Sequence, residues 1–374
     1  MLAPIVLVLV SFGISYANYM LKPTSENFSE RSAEWVRDDV PFGNWMIDTA
    51  ERLTATAPRK GGPGLKRLPR VGLSAISRVK RAGRHSQLVS YLPPPIKPVF
   101  AKPLPGEGVW HRTGPSVHGG PPVLVTSYRP STEYPTIIAY VLWIDHTRTD
   151  LAYYPGRYEP PSAVDRGPMM IPVDQRYRLL AAFNGGFTHV DTDNGSAVNG
   201  YTNEPLIDGN ATLAGYRNGR VNIVKWAGGP NAPAGVAWAR QSLTPIVWGG
   251  KLNPELNIDP NSIQWGFSLG GSIFTPRTAV GIDAHGNVMF VVASEATVVS
   301  LAQILRHIGA VRGMEFDINP AWHTLITYSH KNGLDPTMVE PQPDKSPDRY
   351  LIPDDRDFFA VYSRVPGPVT VPFK

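Results

Sequence analysis

The chain has 374 residues, 42% hydrophobic and 18% charged, the balance of a folded protein and not of a disordered one. It contains no cysteine, which excludes disulfides, zinc–thiolate sites and a thiol nucleophile. The formal charge of +5 is local: nine Lys/Arg and no Asp or Glu lie between Arg59 and Arg84, and removing those nine leaves −4 on the rest.

Residues 1–21 are mostly apolar, with Ile5 to Val10 at the centre and Ser11, Ser15 and Asn18 diluting the second half. About 20 such residues just span a bilayer, so the segment is expected to be a transmembrane signal anchor holding the body in the cell envelope, outside the cytoplasm. The flanking charges point the other way. Lys22, Arg31 and Arg37 all follow the apolar run, and the positive-inside rule alone would keep the body in the cytoplasm. A buried N-terminal helix is the third reading.

Residues 22–57 are expected to form a helical juxtamembrane segment that starts near Ser29-Glu30-Arg31-Ser32 and breaks at Pro41-Phe42-Gly43. Residues 58–108 read as a linker, first basic and then proline-rich (Pro93, Pro94, Pro95, Pro98, Pro103, Pro105). Its charge suits an anionic partner, such as lipid headgroups or a phosphate-bearing envelope polymer. No aromatic residue is interleaved between Arg59 and Arg84 to stack bases, so nucleic acid is not expected.

Residues 109–364 carry short strand patterns and few helices, an α+β domain dominated by mixed or antiparallel sheet. Thr136 to Asp145 is apolar on both faces and reads as a central strand. Asn218-Gly219 marks a hairpin, and Ala284-His285-Gly286 a second. Thr297 to Ile308 has one apolar helical face and stops at Gly309. Residues 365–374 form a flexible tail.

Three strand-like runs end in polar residues that an apolar core would not choose: Leu179 to Phe187 with Asn184-Gly185-Gly186, Pro276 to Asp283 with Arg277, and Met314 to Asn319. A period of two puts Glu315, Asp317 and Asn319 on one strand face. Two carboxylates that close suit acid and base roles in glycoside hydrolysis, or a pair held by structural arginines. Arg277 offers a planar fork for phosphate, or a salt bridge to Asp317 or Glu315. Asn184 can hold a sugar hydroxyl or phosphate oxygen, with Gly185 and Gly186 bringing backbone N–H groups close, or can simply be a turn residue. Arg240-Gln241 form a second polar knot and a further binding candidate. His189 reads as solvated. Asp191-Thr192-Asp193-Asn194-Gly195 fails the EF-hand spacing and reads as a turn, so no metal is expected. Trp322 suits either a sugar face or the core. Nucleotide, serine-elbow and zinc-protease fingerprints are missing, and no cofactor is implied.

In this order the three segments resemble the phosphodiester glycosidase family over roughly residues 120 to 364. The resemblance implies a bacterial, membrane-anchored hydrolase that cleaves a sugar-1-phosphodiester in an envelope or extracellular glycan. Asp317, Glu315 and Arg277 would be catalytic, and Asn184, Gly185, Gly186, Arg240, Gln241 and Asn319 would bind substrate. One departure stands out: many members read Leu-Asp-Gly-Gly-Gly-Ser where this chain has Phe316-Asp317-Ile318-Asn319-Pro320. The lost glycines reshape that wall. They leave room for an alternative, a non-catalytic module that binds phosphorylated cell-surface polysaccharide.

Overall fold

A computed structural model describes residues 2–54, 57–75, 91–164, 166–259, 262–265, 274–331 and 333–364. The second half of the basic run and the expected tail lie outside these residues. Five α-helices occur among the described residues: α1 (Leu2–Met20), α2 (Phe28–Asp39), α3 (Gly43–Thr54), α4 (His189–Thr192) and α5 (Val298–His307).

Among the described residues the β-domain is built from three sheets whose named strands pair antiparallel throughout. In the nine-stranded sheet, Ala139–Ile144 lies between Val123–Tyr128 and Val288–Ala296, which is the central position its apolar pattern predicts. Thr275–Asp283 and Ala310–Glu315 follow in the same sheet. A five-stranded sheet holds Leu179–Asn184 between Leu325–Ser329 and Phe358–Ser363. Another is made wholly from residues between Ser196 and Gln241, including the hairpin at Asn218-Gly219, where Gly219 has φ 81°.

The sheets enclose a core in which Phe183 stacks on Phe290 at 4.2 Å and Phe316 on Phe359 at 5.6 Å. α5 covers the other face of the large sheet with Val298, Leu301, Ile304 and Leu305. Thr297 caps its first turn and Gly309, at φ 98°, ends it, as the sequence predicts. Strand geometry at the sheet end therefore fixes the starting points of the loops after Asn184 and Glu315.

The N-terminal helices correct one expectation. The expected break falls where it was read, between α2 and α3, but the membrane anchor is not supported. Among the described residues no helix is long and apolar enough to cross a membrane. One of the polar positions that dilute α1, Ser15, faces α2, where Trp35 Nε1 donates to its Oγ at 3.0 Å, and beside it the Tyr16 and Ser32 hydroxyls meet at 2.8 Å. Tyr19 stacks on Tyr158 of the β-domain at 5.7 Å. The 58–108 segment, read as a linker, joins the domain where it is described: Leu65 and Leu68 pack against the core, Val71 and Ile96 are buried in it, and Ser74–Ala75 pairs at the edge of the nine-stranded sheet.

Candidate active site

The three polar segments meet at one threonine. Thr278 Oγ1 accepts from Asn184 Nδ2 at 3.0 Å and from the Asp317 N–H at 3.1 Å. Its backbone N–H donates to the Asp317 carbonyl at 2.8 Å, and its carbonyl accepts from Phe316 N–H at 2.8 Å. Asn184 Oδ1 accepts from Thr324 N–H at 3.0 Å, so the amide braces three chain segments. Sequence reasoning singled out Arg277 in this motif, but its neighbour Thr278 makes the joint.

The pocket beside this joint is lined by Asn184, Gly185, Gly186, Asp317 and Asn319. Its remaining wall includes Asp191, Trp322, Arg349, Arg356 and Asp357. Asp317 is half-buried, and its Oδ1 accepts from Asn319 N–H at 2.9 Å. Burial pushes its carboxyl up to about 7, against the opposing pull of the Asn319 and Ile318 N–H groups and Arg356. The charge on Asp191 adds to the upward push. A carboxyl balanced there exchanges a proton near neutral pH, which general acid–base chemistry requires.

Several predicted residues stand behind this wall. Arg277 and Glu315 are buried and paired, Nη1 to Oε1 at 2.6 Å, and Arg277 Nε donates to Ala296 O at 2.7 Å. Of the two bridges the sequence allowed, the structure makes the one to Glu315. Burial raises Glu315 while Arg277 holds it down. Because Asp317 lies beyond the strand end, the shared face read for Glu315, Asp317 and Asn319 is broken.

Arg240 is also buried: Nε reaches Asp357 Oδ2 at 2.7 Å and Nη2 reaches Phe187 O at 2.5 Å. It pins the loop after Asn184 to the segment before Phe358. Gln241 accepts from Gly195 N–H at 3.1 Å and Ile207 N–H at 2.8 Å, and donates to Thr212 Oγ1 at 2.9 Å, a cross-loop brace. Gly185 N–H donates to Asp357 O at 2.9 Å, so it is not a donor toward an anion. The glycine is needed for space: a Cβ there would stand 2.3 Å from Asp357 Oδ2.

Of the other pocket residues, Trp322 was read as suiting a sugar face or the core, and Arg349, Arg356 and Asp357 escaped the sequence reading. Trp322 is buried, with the Arg349 guanidinium 4.6 Å and the Arg356 guanidinium 5.1 Å from its ring centre. Arg349 is engaged by Asp354 at 2.8 Å. Arg356 comes from an irregular segment with no periodic signal. Asp191, read as part of a turn, sits in α4, whose cap is Thr188, and faces the same pocket. The turn itself is real, with Asp193 at φ 50°. Among the described residues no group of three or more His, Asp or Glu could hold a metal.

Residues 177–317 match the family model of phosphodiester glycosidases. The match takes in the whole Leu179–Asn184 strand and the Arg277 segment and ends at Asp317, inside the third motif. No curated protein matches the chain. Among solved structures, the zebrafish N-acetylglucosamine-1-phosphodiester alpha-N-acetylglucosaminidase catalytic domain, auto-inhibited by its pro-peptide, is similar at 14% identity and a TM-score of 0.44. That likeness covers 66% of this chain and 85% of that one. A hypothetical protein from Synechocystis is similar at 14% identity and a TM-score of 0.38, covering 66% of this chain and 63% of that one.

Proposed function

We propose that the chain hydrolyses a sugar-1-phosphodiester, with Asp317 as the proton-carrying residue. The observation that carries this reading is a half-buried carboxyl, raised to about 7, at the joint of three phosphodiester glycosidase motifs. Water adds to the anomeric carbon, the bond from that carbon to the phosphate oxygen breaks, and a phosphomonoester leaves. Protonated Asp317 gives its proton to the departing oxygen. Of the two other carboxylates on the pocket wall, Asp357 is held by Arg240, and Asp191 takes the proton from the attacking water. The Arg277–Glu315 pair holds the strand that delivers Asp317, and the basic run from Arg59 suits substrate carried on an anionic envelope polymer.

The test is turnover of a synthetic N-acetylglucosamine-1-phosphodiester, followed by release of reducing sugar. Asp317→Asn is expected to lower kcat by about 10²- to 10⁴-fold while leaving the fold intact. The parent's activity should fall as pH rises past about 7, where Asp317 loses its proton. Equal turnover by the Asn variant would make Asp317 structural, and binding of phosphorylated polysaccharide without turnover would favour the non-catalytic alternative.

A further inference from the structure

A second cavity opens between α5 and the strand ends beside it, with about 430 Å³ of free volume. Small-molecule sites span about 300–1,000 Å³. The opening begins at a proline. Pro276 has no N–H to give to the ladder, and opposite it the sheet admits an extra residue. Thr275 pairs with Ala296 and Arg277 with Ala293, so Ser294 and Glu295 together face Pro276. Ser294 is tied to the neighbouring strand, where its Oγ accepts from Ile138 N–H at 3.1 Å. Glu295 is left half-buried on the cavity wall. Its carboxyl has no hydrogen-bond or ion-pair partner among the described residues, and burial alone pushes it up.

The rest of the wall selects the chemistry of an occupant. Tyr134 and Phe274 stand 4.8 Å apart with their planes at 54°, two half-buried aromatic rings on the wall. The Tyr128 hydroxyl is fully buried and lacks a hydrogen-bond partner, and Gln303 brings an amide from α5. The charges balance. Glu133 is taken by Lys60 at 2.5 Å, and Glu295 is matched by Arg306 on the same wall, so neither a cation nor an anion is favoured. Aromatic faces beside an uncommitted carboxylate and an amide suit an uncharged ring that carries hydroxyl groups. Its C–H face packs on the aromatic rings, and its O–H groups donate to the carboxylate in charge-assisted bonds.

We propose that this cavity is a second carbohydrate site, which takes an uncharged sugar ring on Tyr134 and Phe274 with its hydroxyls on Glu295 and Gln303. Its place in the sheet gives it a use. Thr275 Oγ1 donates to Ile318 O at 3.4 Å on one side, and Thr275 pairs with Ala296 on the other. The Asp317 and Glu295 segments therefore stand two strand spacings, about 10 Å, apart at one end of the sheet. Resting on the hydrolase reading above, the ring is a neutral unit of the glycan that carries the scissile phosphodiester, and the cavity holds the polymer while Asp317 acts on it. Such binding adds affinity for long substrates and leaves the chemical step unchanged.

The test uses the full chain and two uncharged trisaccharides, one of β-linked glucose and one of N-acetylglucosamine, by titration calorimetry and amide exchange. At least one should bind, and Tyr134→Ala and Glu295→Gln should each weaken that binding roughly tenfold. In the parent, bound sugar should slow exchange across Val298–His307. Binding of neither sugar, or binding that both variants keep, would overturn the proposal. The exchange measurement needs no substitution, so a variant that folds poorly does not remove the test: sugar binding that leaves α5 exchange untouched also overturns it. The link to the reaction has its own readout. On a phosphodiester that carries a neutral oligosaccharide, Glu295→Gln should raise KM about tenfold and keep kcat, while the short N-acetylglucosamine-1-phosphodiester is cleaved as by the parent. An unmoved KM on the long substrate would overturn that link. Failure of the hydrolase reading looks different: sugar then binds in the Glu295-dependent way, yet no phosphodiester, long or short, is cleaved.

Discussion

Two arginine–glutamate pairs flank the same pocket and differ in almost everything but chemistry. Arg277 and Glu315 come from neighbouring strands, both buried, and their bridge is sealed behind the pocket wall. Arg356 and Glu34 lie 322 residues apart in sequence and bridge the pocket from a loop to a separate helix. The first pair cannot release its partner without unfolding the sheet. The second joins an irregular segment of the β-domain to a helix that belongs to none of its sheets. An ion pair therefore reads as part of the core or as a tether between elements according to where its two partners stand.

The sharpest way to break this comparison is to remove each arginine. Arg277→Ala leaves Glu315 charged and unpaired in the core and should cost about 3–5 kcal/mol, read as a lower urea midpoint. Arg356→Ala should leave the main transition within about 1 kcal/mol of the parent and instead speed amide exchange in α2. Equal losses would show that α2 is as integral as the strands.

Asp317 gives the next largest effect. Its carboxyl is raised in the folded chain, so between about 4 and 7 the unfolded state ionises while the native state holds its proton. Stability from this group should fall as pH rises through that window. Asp317→Asn removes the dependence, and the melting temperature of the variant should gain on the parent from pH 4 to 7 and level off above. A constant difference would mean that the carboxyl is not raised.

Gly185→Ala places a methyl group against Asp357, which Arg240 holds fast, and should cost about 1–3 kcal/mol in the main transition. Asn27→Ala removes the cap and capping box of α2, worth about 1 kcal/mol, and should appear only as faster exchange in that helix. Together these two separate the wall from its cover.

The framework of the β-domain was legible because its signals are local. Short apolar runs marked the strands, Asn218-Gly219 the hairpin, and Thr297 with Gly309 the ends of α5. The motifs placed Asn184, Asp317 and Asn319 at the pocket because each stands at or just past a strand end. What was not legible depends on contacts without a period. Arg356 sits in an irregular segment, Asp191 in a four-residue helix too short for a period, and Glu34 looks like any exposed helix residue until its partner Arg356 is seen. α1 misled for a related reason: its apolar residues suggested lipid, while Ser15 and Tyr16 hydrogen-bond to α2.

Thr278 carries a consequence for how such a site can change over time. One hydroxyl and one peptide group hold Asn184 and Asp317 in register, and none of these bonds depends on the length of chain between the segments. The whole sheet between Ser196 and Gln241 is threaded between two of them. Insertions and deletions in that stretch can accumulate while the wall keeps its shape, so the order of the motifs is the durable signature of the site and their spacing is not.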